Sequence, residues 1–331
     1  MLLKQFKRTG PFAIFLIVIV MLFMWAGPII RVKKSFSLYF DLDPMPLYGI
    51  VSSIFGTHPV PGIIFSVLMV SLMGFMMVNL NTTLFFINER TFLPALFYIL
   101  ISGMFPLYQL LNPAVFGAVF LMLAIRRIME SYRIQGTAYN FFDAGLLIGT
   151  GSLFYANLVW FGVITIAGIA LLRTWSPREV LLSIIGLLAP FIITMGIYYV
   201  AGMDPMNFLD ILVYNIFGLK AGFAFIPLVI VAIIYTGALL MGSFSHFFMM
   251  FGTMKVQSRK TFSLFLWVFL ISMLIWFLSP SVSVEIAWIT AIPVSYFLSH
   301  YFVLMKRKVL PEIMFTLFFL MIVLMQIWYL R

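Results

Sequence analysis

Residues 141–172 read FFDAGLLIGTGSLFYANLVWFGVITIAGIALL, and this stretch decides how the rest of the chain is interpreted. Only one of its 32 residues, Asp143, carries a charge, so the run predicts membrane-embedded helix. A weak break at Tyr155-Ala156-Asn157 interrupts it. Whether the run forms one span or two sets the direction of every span that follows.

Long apolar runs of this kind occur along the whole chain. Apolar residues make up 64% of the sequence and charged residues 9%, whereas a soluble domain is about half apolar and a quarter charged. The runs are continuous, unlike the short alternating segments of a β-barrel, and most are long enough to cross a bilayer core about 30 Å thick. We predict an all-α polytopic transmembrane protein with about eleven spans, at residues 11–30, 61–87, 91–110, 113–125, 141–156, 158–172, 180–201, 223–250, 262–279, 284–304 and 311–330.

The distribution of cations predicts the orientation. If the break at Tyr155–Asn157 separates two spans and the N-terminus is cytoplasmic, fifteen of the twenty Lys and Arg residues lie on the cytoplasmic side. Without that break, nine lie inside and eleven outside. Cytoplasmic loops are enriched in Lys and Arg. The sequence therefore favours an odd number of spans, a cytoplasmic N-terminus and a C-terminus on the outer side of the membrane.

The polar segments are too short to form a second domain. The longest are 31–60 and 202–222 on the predicted outer side and 126–140 inside, and none can bury its own core. We predict a single integral membrane domain spanning 1–331, with run 11–30 kept as an anchor because no small-residue cleavage site follows it. The net charge of +10 indicates loops against anionic lipid headgroups rather than a nucleic-acid partner. Because the chain has no cysteine, disulfides, thiolate chemistry and iron–sulfur clusters are excluded.

The first outer segment is the most informative polar stretch. It places Asp41 and Asp43 after the first span, close to Arg31, Lys33 and Lys34. An outward carboxylate is suited to act as a general base on a sugar hydroxyl, and the cations are suited to hold the phosphate of a lipid carrier. The alternative is structural. Asp43 would cap a helix beginning at the following proline, and the cations would contact only lipid phosphate.

Two further carboxylates fall in the second outer segment. Asp204 precedes a proline, which favours a helix N-cap, and Asp210 follows six residues later. We assign both as candidate substrate-binding residues and expect Asp210 to face the same outer cavity as Asp41 and Asp43. Glu285 opens the tenth predicted span, where a first-turn carboxylate suits the helix dipole.

Other polar residues are predicted to have structural roles. Asp143 lies two or three residues inside its span and is expected to pair with a nearby arginine of segment 126–133. Gly145 and Gly149 form a Gly-x-x-x-Gly pair, which predicts close helix packing. The three histidines, at positions 58, 246 and 300, are far apart in sequence. We predict no metal site and no cofactor, because such a centre needs clustered ligands.

Three stretches carry a resemblance to a known family. Asn88-Glu-Arg-Thr-Phe-Leu-Pro-Ala-Leu, Phe142-Asp-Ala-Gly-Leu-Leu-Ile-Gly and Arg173-Thr-Trp-Ser-Pro-Arg-Glu resemble an uncharacterised family of polytopic bacterial inner-membrane proteins, sometimes automatically labelled carotene monooxygenase. The resemblance covers most of the chain and implies no mechanism. The iron site that the name carotene monooxygenase implies is bound by four histidines, and this chain has three.

A second similarity concerns layout alone. Polytopic glycosyltransferases of the GT-C class place a catalytic acid in the first outer loop, and Asp41 and Asp43 occupy the matching position. The chain departs from that class in two ways. Asp-Leu-Asp replaces the paired acids of many members, and no large C-terminal outer domain follows.

The sequence leaves three functions open. The first is a transferase that uses a polyprenyl-phosphate carrier as donor at the outer face, with Asp41 or Asp43 as base. The second is a non-enzymatic subunit that binds other inner-membrane proteins in a secretion, motility or envelope-assembly complex. The third is a lipid or solute transporter, a class that favours ionisable groups at mid-membrane. Membrane lipids are partners in all three.

Overall fold

The computed structural model describes residues 2–7, 10–30, 43–55, 59–106, 109–132, 138–173, 175–219, 227–305 and 309–330. All regular elements in this part of the chain are helical. The α-helices are α1 (Leu2–Lys7), α2 (Pro11–Ile30), α3 (Pro46–Phe55), α4 (Pro59–Leu84), α5 (Leu93–Ser102), α6 (Pro113–Glu130), α7 (Ala138–Ser152), α8 (Val163–Leu172), α9 (Pro177–Val200), α10 (Pro205–Phe217), α11 (Pro227–Met250), α12 (Val256–Leu278), α13 (Ala287–Leu304) and α14 (Val309–Leu330). Short 3₁₀ turns, Ala156–Gly162 and Val284–Ile286, lead into α8 and α13.

Seven helical segments in the described residues are long and apolar enough to cross a membrane. They are α2, α4, α9, α11, α12, α14 and the continuous segment formed by Val284–Ile286 with α13. The protein is thus a helical protein with the composition of a multi-pass membrane protein, as the sequence predicts. The count of eleven spans and the orientation of the termini stay predictions.

The other four predicted spans correspond to shorter helices, α5 to α8. The predicted break at Tyr155–Asn157 is present, because α7 ends at Ser152 and a 3₁₀ turn begins at Ala156. The predicted break between α5 and α6 is present too, but each of these helices packs on α4 and α13 and the two do not pair as a tight hairpin. At the break, the side chain of Asn112 accepts a hydrogen bond from Ala114 N at 2.9 Å, which caps α6.

Helix α13 lies at the centre of the bundle, and every residue from Trp288 to Val303 is buried. It packs against α5, α6, α11 and α12, and all ten residues of α5 are buried. A helix enclosed on every side needs small residues where neighbours approach and internal partners for its hydroxyls. Ser295 and Ser299 accordingly donate to carbonyls one turn earlier. Tyr296 Oη donates to Met77 O on α4 at 2.9 Å, which joins the two helices.

Helices α7 and α9 form a glycine seam, made by Gly145 and Gly149 on α7 and Gly186 on α9. A Cβ at Gly145 would overlap the carbonyl oxygen of Ser183, and one at Gly186 would overlap that of Phe142. The backbones therefore touch directly. This contact confirms the packing role predicted from the Gly-x-x-x-Gly pair.

Polar contacts define two ends of the bundle, which we call the α1 end and the α10 end. At the α1 end, Leu3 N donates to Glu312 Oε1 at 3.0 Å and Lys7 Nζ donates to Val303 O at 2.9 Å. The predicted pairing of Asp143 is also found there, with Arg127 Nε 3.7 Å from Asp143 Oδ2. Charged groups thus hold the helix ends together at this surface.

A second ion pair at the α1 end joins Arg173 to Glu179. Arg173 also donates to Ser131 O at 3.4 Å, so it links the ends of α6, α8 and α9. Both side chains of the pair are largely buried, with 16% and 8% of their surfaces exposed. The pair therefore occupies a drier environment than Arg127 and Asp143, which are 49% and 41% exposed.

Candidate functional site

Asp43 lies at the α10 end, three residues before α3. The helix begins at Pro46, and Gly49 N donates to Met45 O at 2.7 Å in its first turn. Proline at the first helical position is thus supplied by Pro46 and not by Pro44. The alternative assignment of Asp43 as the cap of this helix is therefore wrong. Its side chain is exposed at the surface.

The backbone of Asp43 is held by Asn215 on α10. Asn215 Nδ2 donates to Asp43 O at 2.7 Å, and Asp43 N donates to Asn215 Oδ1 at 3.1 Å. The amide uses both its donor and its acceptor on the main chain, so the carboxylate of Asp43 is not consumed by this contact. The two predicted outer segments are joined at this point.

A buried polar network supports Asn215 from beneath. Asn157 Nδ2 donates to Asn215 O at 3.2 Å and to Ser281 Oγ at 3.2 Å. Ser279 Oγ and Ser281 Oγ each donate to Ile216 O at 2.9 Å. The network therefore fixes the end of α10 to the turn before α8 and to the loop between α12 and α13.

Asp43 and Asp210 line one open depression of about 810 Å³, which we call the carboxylate depression. Asn207, Asp210 and Tyr214 contribute its α10 side, because residues three and seven positions apart share one helical face. Asp43 is the one lining residue that does not belong to α10. Two carboxylates that are far apart in the sequence therefore border the same space, with an amide and a phenol beside them.

Asp204 has the structural role that its proline predicted. Its Oδ1 accepts a hydrogen bond from Met206 N at 2.9 Å and caps α10, and it does not line the carboxylate depression. Asp41, Arg31, Lys33 and Lys34 lie outside the described residues. Their assignment as base and phosphate ligands stays a prediction.

Glu285 is more deeply buried than the sequence suggested. It lies in the 3₁₀ turn Val284–Ile286 ahead of α13 and is 1% exposed. Its Oε1 accepts a hydrogen bond from Ser283 N at 3.0 Å. Because of this 3₁₀ turn, Glu285 precedes the first turn of α13 instead of lying in it. Glu285 is therefore a buried carboxylate, four residues after Ser281 of the buried polar network.

Two histidines distant in sequence are neighbours near the α1 end. The rings of His246 on α11 and His300 on α13 have centroids 5.9 Å apart, and His300 lies 4.8 Å from the ring of Phe262. His300 is 1% exposed, and neither of its ring nitrogens has a hydrogen-bond partner. Sequence spacing gave no signal of this pair. Within the described residues no group of three or more His, Cys, Asp or Glu is placed to hold a metal ion.

Comparisons with family models, with curated proteins and with solved structures find no match to this chain.

Proposed function

We propose that this protein is a GT-C-like membrane transferase, which moves a sugar or similar group from a polyprenyl-phosphate donor to an acceptor hydroxyl at the periplasmic face. The observation that carries the proposal is that Asp43 and Asp210 border one open depression at the α10 end. Paired carboxylates facing a shared cavity suit general-base catalysis and the positioning of a polar acceptor. The depression lies at the end of the bundle, where a water-soluble acceptor has access.

In this mechanism Asp43 accepts the proton of the acceptor hydroxyl. The hydroxyl oxygen attacks the anomeric carbon of the donor, the bond from that carbon to the phosphate oxygen breaks, and polyprenyl phosphate leaves with the bonding electron pair. Asp210 and Tyr214 lie where they can bind other hydroxyls of the acceptor. Asp41 is the second candidate base. The proposed ligands of the donor phosphate are Arg31, Lys33 and Lys34.

The proposal requires the α10 end to face the periplasm. An odd number of crossings requires that α7 and α8 cross separately. This is supported by the contacts of α8, because Asn157, in the turn before it, donates to Asn215 O at the α10 end, and Arg173, after it, donates to Ser131 O at the end of α6.

Contacts of α6 and α7 agree with this arrangement. Tyr48 Oη of α3 donates to Leu111 O between α5 and α6 at 2.9 Å. Leu47 N donates to Leu153 O after α7 at 3.1 Å. The other ends of α6 and α7 lie at the α1 end, where Arg127 pairs with Asp143.

The test compares asparagine variants of four aspartates in the purified protein, reconstituted with extracted polyprenyl-linked sugars. Asp43→Asn and Asp210→Asn are both expected to slow the release of polyprenyl phosphate. The rate should fall at least about 100-fold in Asp43→Asn, because general-base catalysis typically raises a reaction rate about 10²–10⁴-fold. Asp204→Asn is the matched control, since asparagine caps helices as well as aspartate does. If Asp43→Asn and Asp41→Asn each retain full release, alone and combined, the proposal is wrong.

A further inference from the structure

Two neighbouring histidines contribute three buried ring nitrogens that no hydrogen bond uses within the described part of the chain. They are both nitrogens of His300 and Nδ1 of His246. We call these two residues the histidine pair. A neutral imidazole carries one donor and one acceptor, and burying them without partners is costly. The unpaired nitrogens therefore point to a ligand that the surrounding side chains do not themselves provide.

The histidine pair is held in place by the packing of α11 against α13. One turn away from it, Ser243 Oγ on α11 donates to Phe297 O on α13 at 2.6 Å. His246 follows Ser243 by three positions, and His300 follows Phe297 by three positions. Residues three apart share a helical face, so both imidazoles are directed to the interface of α11 and α13.

The separation of the two rings fits a shared metal ion. Their centroids are 5.9 Å apart. A metal–imidazole bond is about 2.0 Å long, which places the metal about 3 Å from the centroid of each ring that binds it. Two rings that share one ion can therefore have centroids up to about 6 Å apart. Neutral imidazole is also the commonest metal ligand in proteins.

The surroundings of the pair favour an ion with a single charge and few ligands. The ring of Phe262 lies 4.8 Å from that of His300, and the ring of Phe247 lies 6.3 Å from it. The ring of Tyr301 lies 5.6 Å from His246. Two neutral ligands among aromatic rings do not compensate a double charge, and burying an uncompensated charge is costly. Zinc also takes four ligands. Copper(I) has one positive charge, is bound well by imidazole and accepts two ligands.

One side of the pair gives an ion access to it. His300 is 1% exposed, whereas His246 is only half-buried. His246 lies four residues before the end of α11 at Met250, and His300 lies four residues before the end of α13 at Leu304. The pair is thus about one turn from the α1 end, and an ion can reach His300 past His246.

From these observations we infer that the histidine pair binds one copper(I) ion, with a nitrogen of His246 and a nitrogen of His300 as its ligands. The ion joins α11 to α13. The site does not depend on the proposed transferase reaction, because it lies near the other end of the bundle from the carboxylate depression. The sequence does not predict it, since the two histidines are far apart there. In the metal-free protein the unpaired nitrogens only lower stability.

The test uses the fact that the chain has three histidines. Purified metal-free protein with a histidine-free affinity tag is titrated without oxygen against the bicinchoninate complex of copper(I). The loss of absorbance of that complex measures the copper withdrawn, and we expect one equivalent per chain. His246→Phe and His300→Phe should each weaken binding at least about 100-fold, because losing even an outer-shell partner of a metal ligand costs about 10–100-fold. His58→Phe is the matched control and should bind as the unaltered protein does.

All of these variants keep the 23 methionines of the chain, so copper bound by thioethers cannot produce a difference between them. Thermal unfolding of each metal-free variant shows that it is folded. X-ray absorption at the copper edge should report two imidazole ligands. The site is ruled out if the unaltered protein withdraws no copper, if binding survives in the double variant His246→Phe/His300→Phe, or if Zn²⁺ binds more tightly than copper(I).

Discussion

Asn215 holds Asp43 through two hydrogen bonds to its main chain, 2.7 Å from Asn215 Nδ2 to Asp43 O and 3.1 Å from Asp43 N to Asn215 Oδ1. The residues are 172 positions apart. This contact joins the end of the first outer segment to α10, and both Asp43 and Asp210 line the carboxylate depression. It makes Asn215 a positioning residue in the proposed reaction.

Replacing Asn215 should therefore show how far transfer depends on the position of Asp43, because the carboxylate itself is left in place. Asn215→Ala removes both hydrogen bonds and leaves the buried amide position empty. We expect a loss of about 1–3 kcal/mol in the free energy of unfolding, together with a fall in transfer. Asn215→Asp keeps the oxygen that accepts from Asp43 N and loses the donor to Asp43 O. It should therefore recover only part of the stability that Asn215→Ala loses. Denaturant titration in detergent measures the first effect. Met206→Ala, at an exposed position of the same helix, serves as control, and an equal loss in that variant would contradict the assignment.

The orientation can be tested directly, because the chain contains no cysteine. A single cysteine at Asn207 on α10 should react with a membrane-impermeant maleimide in intact cells. A single cysteine at Gln5, exposed on α1, should react only after the inner membrane is opened. Because both positions are exposed, burial cannot account for a difference between them. The reverse pattern would place the carboxylate depression in the cytosol and exclude a periplasmic transferase.

The glycine seam predicts different costs for two substitutions on one helix. A Cβ at Gly186 would overlap Phe142 O, while a Cβ at Gly196 meets nothing within 4 Å. Gly186→Ala should force α7 and α9 apart and destabilise the protein by more than about 2 kcal/mol, since overpacking typically costs 1–3 kcal/mol and backbone cannot move aside cheaply. Gly196→Ala should be neutral or stabilising. Thermal unfolding of the two variants checks the difference, and similar unfolding temperatures would refute it.

The two ion pairs at the α1 end should contribute unequally. Asp143 and Arg127 are about half exposed, and exposed pairs contribute about 0–1 kcal/mol. Glu179 and Arg173 are largely buried, and removing one partner of a buried pair costs about 3–5 kcal/mol. Glu179→Gln is therefore expected to be several-fold more destabilising than Asp143→Asn. Chemical denaturation at two salt concentrations tests this, because only the exposed pair should weaken strongly with salt.

Replacing His300 by phenylalanine is expected to stabilise the protein, whereas the substitutions of buried residues above are expected to destabilise it. Its buried ring has no hydrogen-bond partner on either nitrogen and is surrounded by Phe247, Phe262 and the ring of His246. His300→Phe removes these unsatisfied groups at nearly constant volume and should raise the free energy of unfolding by about 1–2 kcal/mol. His300→Ala, which opens a cavity, should lower it. A destabilised Phe variant would mean that the imidazole binds something essential to the fold.

Several features were predictable because they depend on local sequence. The break at Tyr155–Asn157, the cap at Asp204 and the pairing of Asp143 each follow from residues within a few turns of one another. The error at Asp43 has the same local origin. Two prolines, Pro44 and Pro46, were available to start α3, and the sequence did not distinguish them. The sequence predicts Glu285 at a helix start and gives no signal of the 3₁₀ turn in which it is buried.

The sequence by itself determined the class of the protein, because the length and hydropathy of its runs match the thickness of a bilayer and the breaks between them are marked by Pro, Asn and Gly. Only the tertiary structure decided which side chains meet. The depression that Asp43 and Asp210 share and the His246–His300 pair depend on how helices fit together in three dimensions. In helices that are apolar on nearly all sides, hydrophobic periodicity does not identify the packed face. Close contacts such as the glycine seam select it instead, through shape and van der Waals contact.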